Sequence, residues 1–157
     1  MVGPLPAMAH KEEKYWYCRR SLRMWPVTGD DVRKSVGIFL RTKLKLEASF
    51  LSTIGEIGVK TVPFTARSKI KGEVIVVFGT VEVRDIFRRA ARELAGSPEA
   101  GIRLEIPQYL QPSLKSLEAV SYALKKKFPG IRRNIKFDDE KLDLVLDFCT
   151  DPGADSP

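Results

Sequence analysis

The sequence predicts an α+β protein, a β-α-β-β-α-β domain over residues 15–107 followed by a small helix-hairpin module over residues 108–150. Three observations predict it. Val74-Ile75-Val76-Val77-Phe78 is a short apolar run of the length that forms a buried strand. Helix signals lie on either side of it. Asp30-Asp31 precedes Val32, Val36, Phe39, Leu40 and Leu44, and Thr80 precedes Val83, Phe87, Ala91 and Leu94, each set recurring at helical spacing. Third, Leu142, Leu144, Leu146 and Phe148 alternate with Asp143, Val145 and Asp147, the pattern of a half-buried strand.

The elements follow in order. Residues 1–14 carry Pro, Gly and charge and are expected to be a disordered leader. Tyr15–Met24, rich in aromatic and apolar residues, reads as the first strand and is stopped by Trp25-Pro26. Asp30-Asp31 opens the first helix, and residues 46–56 connect, with room for a short helical turn. Glu56–Thr65 is β-like, and Pro63 places it at an edge. A basic loop, Ala66–Gly72, leads into the buried strand Glu73–Phe78. The helix capped by Thr80 stops at Gly96, and Ile102–Ile106 is a strand ending at Pro107. In the second module Pro112 starts a helix that turns Leu114, Leu117, Leu124 and Phe128 inward and ends at Pro129-Gly130. Arg133–Phe137 and Leu142–Phe148 then form a hairpin around Asp138-Asp139-Glu140-Lys141, and residues 151–157 are a polar tail.

This order of elements is that of ferredoxin-like and RNA-recognition-like domains. Lys71-Gly72-Glu73-Val74-Ile75-Val76-Val77-Phe78 also keeps the frame of the RNA-recognition octamer, basic-Gly-aromatic-small-Phe-Val-x-aromatic. Glu73 and Ile75 stand where the octamer presents rings to RNA bases on the open face of the sheet. The usual base platform is missing, so charge must do most of any nucleic-acid binding.

The net charge of +7 conceals an asymmetry. Residues 138–157 hold seven acids and one base, which leaves residues 1–137 strongly basic and attractive to polyanions. A hydrophobic share of 43% beside a charged share of 30% is that of an ordinary soluble globular protein. No apolar run approaches the length of a bilayer span, and the first fifteen residues hold no signal-peptide core. An intracellular protein, cytoplasmic or nuclear, is therefore expected, with Cys18 and Cys149 as reduced thiols. His10 is the only histidine, which excludes a His-based triad, and no phosphate-binding or dinucleotide glycine fingerprint is present. The expectation is no enzyme, no cofactor and no metal.

Several clusters bear on binding. Arg19, Arg20 and Arg23 lie on or beside the first strand, just after Tyr15, Trp16 and Tyr17. Basic residues interleaved with rings suit a single-stranded groove, although rings on a strand more often belong to the core. Arg67, Lys69 and Lys71 form a basic loop able to fold over a phosphate backbone or simply to be solvated. Lys125-Lys126-Lys127 and Arg132-Arg133-Asn134-Ile135-Lys136 bracket the Pro129-Gly130 turn in the densest positive patch of the chain. The lysines there also complement a helix dipole, whereas Arg132 and Arg133 lack that role and are the strongest candidates for phosphate contact. Arg84, Arg88 and Arg92 make a helical stripe expected to be solvated, with Asp85 and Glu93 for local pairing. Asp138, Asp139, Glu140, Asp143 and Asp147 have the chemistry of a divalent-metal site, yet a tight turn and an exposed strand face account for them without one.

Three stretches together resemble the nucleic-acid-binding protein encoded by the first open reading frame of LINE-type (non-LTR) retrotransposons. Leu22-Arg23-Met24-Trp25-Pro26-Val27 before a capped helix is similar to that family's first strand and turn. Val74-Ile75-Val76-Val77-Phe78 leading into Arg84-Asp85-Ile86-Phe87-Arg88-Arg89-Ala90-Ala91-Arg92 is similar to its central strand and helix. Phe137-Asp138-Asp139-Glu140-Lys141-Leu142 stands where its C-terminal domain has Tyr-Pro-Ala-Lys-Leu, with Asp138-Asp139 in place of Pro-Ala. The resemblance implies an RNA-recognition domain without stacking aromatics joined to a small C-terminal domain. It further implies single-strand binding and nucleic acid chaperone activity in a ribonucleoprotein.

The expected function is sequence-tolerant binding of single-stranded RNA or DNA, in retrotransposon or related ribonucleoprotein assembly. Self-association or ribonucleoprotein proteins would be further partners, and no membrane is expected. The expected contact residues are Arg19, Arg20, Arg23, Lys69, Lys71, Lys125, Lys126, Lys127, Arg132, Arg133 and Lys136. The alternative is an RNA-recognition-like protein-interaction module, which an exposed Ile75 in an apolar patch would favour. A metal-dependent nuclease is a third reading and needs Asp138, Asp139 and Glu140 to converge with other carboxylates in a cleft.

Overall fold

In the computed structural model, residues 4–63, 70–94 and 99–149 are described. The chain divides into two compact units. One is Trp16–Glu105; the other combines the N-terminal segment through Tyr15 with the segment from Ile106 onward.

The first unit is α+β and holds a four-stranded antiparallel sheet. Its strands are β1 (Ser21–Trp25), β2 (Gly58–Thr61), β3 (Val74–Val77) and β4 (Gly101–Leu104), in the order β2-β3-β1-β4. Every neighbouring pair is antiparallel, with Leu22 opposite Val76 and Leu104, and Arg23 opposite Ile75 and Arg103. The arrangement is compatible with a ferredoxin-like fold. Strand alternation sends Leu22, Met24, Val74 and Val76 to one face, where they bury together with Phe78. That face receives Val36, Phe39 and Leu40 of a helix, Val32–Thr42, and Phe87 of another, Val81–Ala90. Phe78 and Phe87 stack at 4.6 Å between centroids. Asp31 caps the earlier helix by accepting from the Lys34 amide, and Thr80 caps the later one by accepting from the Val83 amide. A short helix, Ala48–Leu51, fills the expected connection.

Gly72 of the octamer frame has φ +73, and a Cβ there would approach the Val27 backbone to 3.2 Å. Its carbonyl accepts from the Val27 amide at 2.7 Å, so the turn lies tight against the chain just after β1, in a backbone conformation that favours glycine.

Five expectations are corrected. The leader and the first half of the expected strand are helix: Pro4–Arg19 is a single α-helix, and β1 begins only at Ser21. The physical reason is local. Ala7-Met8-Ala9 and Lys11-Glu12-Glu13-Lys14 are strong helix formers, and buried Tyr15 and Cys18 share a face at i, i+3. The Ser21 hydroxyl closes this helix by donating to the Tyr17 carbonyl at 2.6 Å. Second, Arg84 is buried rather than solvated. Its Nε donates to the Arg19 carbonyl at 2.9 Å and its Nη2 lies 3.1 Å from Asp85. Ala90, not Ala91, joins the core from that helix, which continues as a 3₁₀ turn to Leu94; the expected stop at Gly96 lies outside the described residues. Finally, Phe128 and Phe148 are not turned inward but are exposed.

In the second unit the helix Gln111–Lys127 packs on a hairpin of β5 (Arg132–Asp138) and β6 (Asp143–Cys149). Ile135 and Phe137 lie opposite Leu146 and Leu144 on one face. Tyr15 is fully buried against Phe137, edge to face at 5.3 Å, and its hydroxyl donates to Asp139. The turn is stabilised by Asp138, whose Oδ1 accepts from the amides of Glu140 and Lys141. Tyr15 covers Phe137 toward the turn, whereas Phe128 and Phe148 lie at the open end of a two-stranded hairpin and are exposed. The tail 151–157 lies outside the described residues.

Candidate nucleic-acid interface

The basic residues expected to bind separate into two sets. In the first unit the arginines are committed to internal partners. Arg19 forks onto Asp85 at 3.0 and 3.4 Å. Arg20 Nη1 reaches the carbonyls of Phe78 and Gly79 at 3.4 Å each. Arg23 donates to Glu73 at 3.0 Å and to Glu105 at 3.1 and 3.4 Å. Burial pulls down the pKa of Arg23, but hydrogen bonding and charge from Glu105 and Glu73 outweigh it and hold the pKa above its ordinary value. Lys71 is exposed, while Lys69, like Arg67, lies outside the described residues.

The octamer positions are closed. Glu73 is 2% exposed and Ile75 6%, so neither offers a surface for a base. Arg103 Nη2 approaches the second Glu73 oxygen, Oε2, at 3.1 Å, an ion pair that is not aligned as a hydrogen bond. On this face of the sheet, two arginines and two carboxylates neutralise one another.

The second unit is different. Lys125, Lys126 and Lys127 end the helix and are exposed, as is Arg132 at the start of β5. Arg133 is half-buried, with Nε donating to the Ser121 hydroxyl and Nη1 to the Ile131 carbonyl, both at 3.1 Å. It ties the hairpin to the helix. Lys136 is exposed and pairs with Asp147 at 3.3 Å.

Among these cations stand three rings that sequence reasoning missed. Tyr122 is 60% exposed, Phe128 51% and Phe148 51%. Lys126 Nζ lies 5.0 Å from the Tyr122 ring and Lys127 Nζ 5.8 Å from that of Phe128. Phe148 pairs across the hairpin with Arg133. The signal for Tyr122 was present, since it lies two positions before inward Leu124 and so on the other side of the helix.

Charge is graded along the hairpin. The open end carries Arg132 and Arg133 beside the lysines, and the turn carries Asp138, Asp139 and Glu140, about 20 Å away at the rise of a strand. Four of the hairpin's acids have structural partners: Asp138 in the turn, Asp139 on Tyr15, Asp143 on the Leu144 amide and Asp147 on Lys136. Among the described residues no three His, Cys, Asp or Glu side chains gather as a metal site, and no helix is long and apolar enough to cross a membrane. No protein-family model and no curated protein matches this chain, so its chemistry is read from its own side chains.

Proposed function

We propose that this protein binds single-stranded RNA or DNA without strong sequence preference, chiefly through the open end of the helix-hairpin unit. One observation carries the reading: exposed rings accompany the cations, with Tyr122 beside Lys126, Phe128 beside Lys127 and Phe148 opposite Arg133 on the hairpin. Rings stack on unpaired bases and are indifferent to their identity, while the cations hold the phosphate chain. The four-stranded unit is read as an RNA-recognition-like domain whose octamer positions are occupied by an internal ion pair. The likeness to retrotransposon first-frame proteins supports a ribonucleoprotein as the cellular setting.

An exposed Ile75 in an apolar patch would favour the protein-interaction alternative, and Ile75 is buried. Titration of labelled single- and double-stranded oligonucleotides at two salt concentrations tests the reading. If ~4–6 phosphates are neutralised, log affinity for single strands falls with log salt at a slope near −3 to −4, and single strands bind more tightly than duplex. A flat salt response, or no binding in low salt, refutes it and favours a protein partner.

A further inference from the structure

We infer that Trp25 and Arg103, on the outer face of the four-stranded sheet, form a stacking subsite for one unpaired nucleobase. The inference rests on the single-strand reading above and adds a second, base-sensing contact to it. Trp25 closes β1 opposite Gly101 of β4, on the face that carries Arg23 and away from Leu22 and Met24. Gly101 is what lets the indole lie across the strand. A Cβ at that position would come within 2.3 Å of the ring atom Cζ2, so any other residue would lift the ring away. The Arg103 guanidinium then lies 5.8 Å from the Trp25 ring centroid, within cation–π reach.

Arg103 is held from a second side by the Glu73 carboxylate at 3.1 Å, yet its side chain remains 52% exposed. A guanidinium fixed between a ring and a buried carboxylate has already lost much of its rotamer freedom, so a ligand stacking on it meets a preorganised plane. Unpaired bases stack on guanidinium planes as well as on rings. The platform lost at Glu73 and Ile75 is thus replaced on the neighbouring strand β1 and the edge strand β4. Because Glu73 and Glu105 offset the charges of Arg103 and Arg23, this subsite contributes stacking and little net charge. Its signature is an affinity that depends on the base and not on salt.

The test uses the full chain with Trp16→Phe, which leaves Trp25 as the only indole. Oligoadenylate and an abasic phosphodiester chain of equal length are titrated, with binding followed by anisotropy of a label on the strand. The expected result is quenching of Trp25 emission by oligoadenylate and none by the abasic chain. Arg103→Lys keeps the charge and removes the plane. It should weaken oligoadenylate binding on the order of tenfold, with the salt slope and the abasic affinity unchanged. Should Trp16→Phe fail to fold, the Arg103→Lys comparison in the otherwise unaltered chain decides alone. Trp25 emission unmoved by bound oligoadenylate, or Arg103→Lys weakening both chains equally, overturns the subsite and leaves the single-strand reading standing. Absence of any anisotropy change overturns both.

Discussion

Glu73 and Arg23 pair at 3.0 Å across neighbouring strands, which puts a buried carboxylate where an RNA-recognition sheet would show a ring. The pairing alters what a substitution there should do. On sequence alone, Glu73→Phe restores a stacking ring and strengthens binding. With Glu73 buried, the same change strips a partner from both Arg23 and Arg103 and forces a larger side chain into a filled site. The expected outcome is a loss of about 2–3 kcal/mol in urea unfolding, below the usual cost of breaking a buried pair because both arginines keep access to water, and no gain in single-strand affinity. Tighter binding with unchanged stability would mean that the face opens in solution.

Arg132 and Arg133, adjacent in sequence, should part in their effects. Arg133→Ala removes the donors to Ser121 and the Ile131 carbonyl and should cost about 1 kcal/mol of stability. Arg132 is an exposed cation of the open end, so Arg132→Ala should cost more affinity than Arg133→Ala. Replacing Lys125, Lys126 and Lys127 together with Ala should flatten the single-strand salt slope by about 2 units if each lysine holds one phosphate. Thermal melts beside salt titrations separate the two classes.

The three exposed rings give the complementary experiment. Tyr122→Ala, Phe128→Ala and Phe148→Ala should each leave stability within about 1 kcal/mol, because little buried surface is lost. Each should weaken single-strand binding by up to about 1–3 kcal/mol without altering the salt slope. Unchanged affinity in all three would remove the open end of the hairpin from the binding surface.

Tyr15→Phe isolates one hydrogen bond in the helix-hairpin unit. The ring and its edge contact with Phe137 are kept, and only the donor to the Asp139 carboxylate goes. A loss of about 1.5–3 kcal/mol is expected by denaturant unfolding, the range for a hydrogen bond to a charged group. A neutral result would show that Asp139 is equally well served by water.

Arg23→Lys should expose the pH range of the ion-pair network. The pKa of Arg23 is raised on folding, so its contribution is complete below its unfolded pKa and is lost only as pH rises through the folded value, beyond the range of ordinary measurement. A lysine, with an ordinary pKa of about 10.4, brings that loss into reach. The variant should become progressively less stable than the parent above about pH 10, and an equal deficit at neutral and alkaline pH would show that geometry, not charge, distinguishes the two residues.

What could be read from the sequence follows physical range. Both capped helices and the apolar strand were legible because their signals are local: Asp31 and Thr80 each act three residues away, and Val74, Val76 and Phe78 alternate. The N-terminal helix was misread because Tyr15-Trp16-Tyr17 has strand composition, while the helical evidence lies in the Ala, Lys and Glu residues before it. The ion-pair network was illegible. It joins Arg23 to residues 50 and 82 positions away, and only the register of three strands brings them together. The lysine run and Arg132 were visible as charge. Tyr122 was legible from its helical spacing, but Phe128 and Phe148 were not, since their exposure depends on how little the open end of the hairpin covers.

The graded hairpin has a consequence for approach. With cations at the open end and carboxylates at the turn, β5 and β6 behave as a small permanent dipole in the field of an incoming strand. On the proposed single-strand reading, a polyanion nearing the turn would be deflected and one nearing the open end drawn in, so that encounters would be aligned before any ring meets a base. The acids that weaken the overall attraction would then set its direction, governing how quickly a complex forms more than how long it lasts.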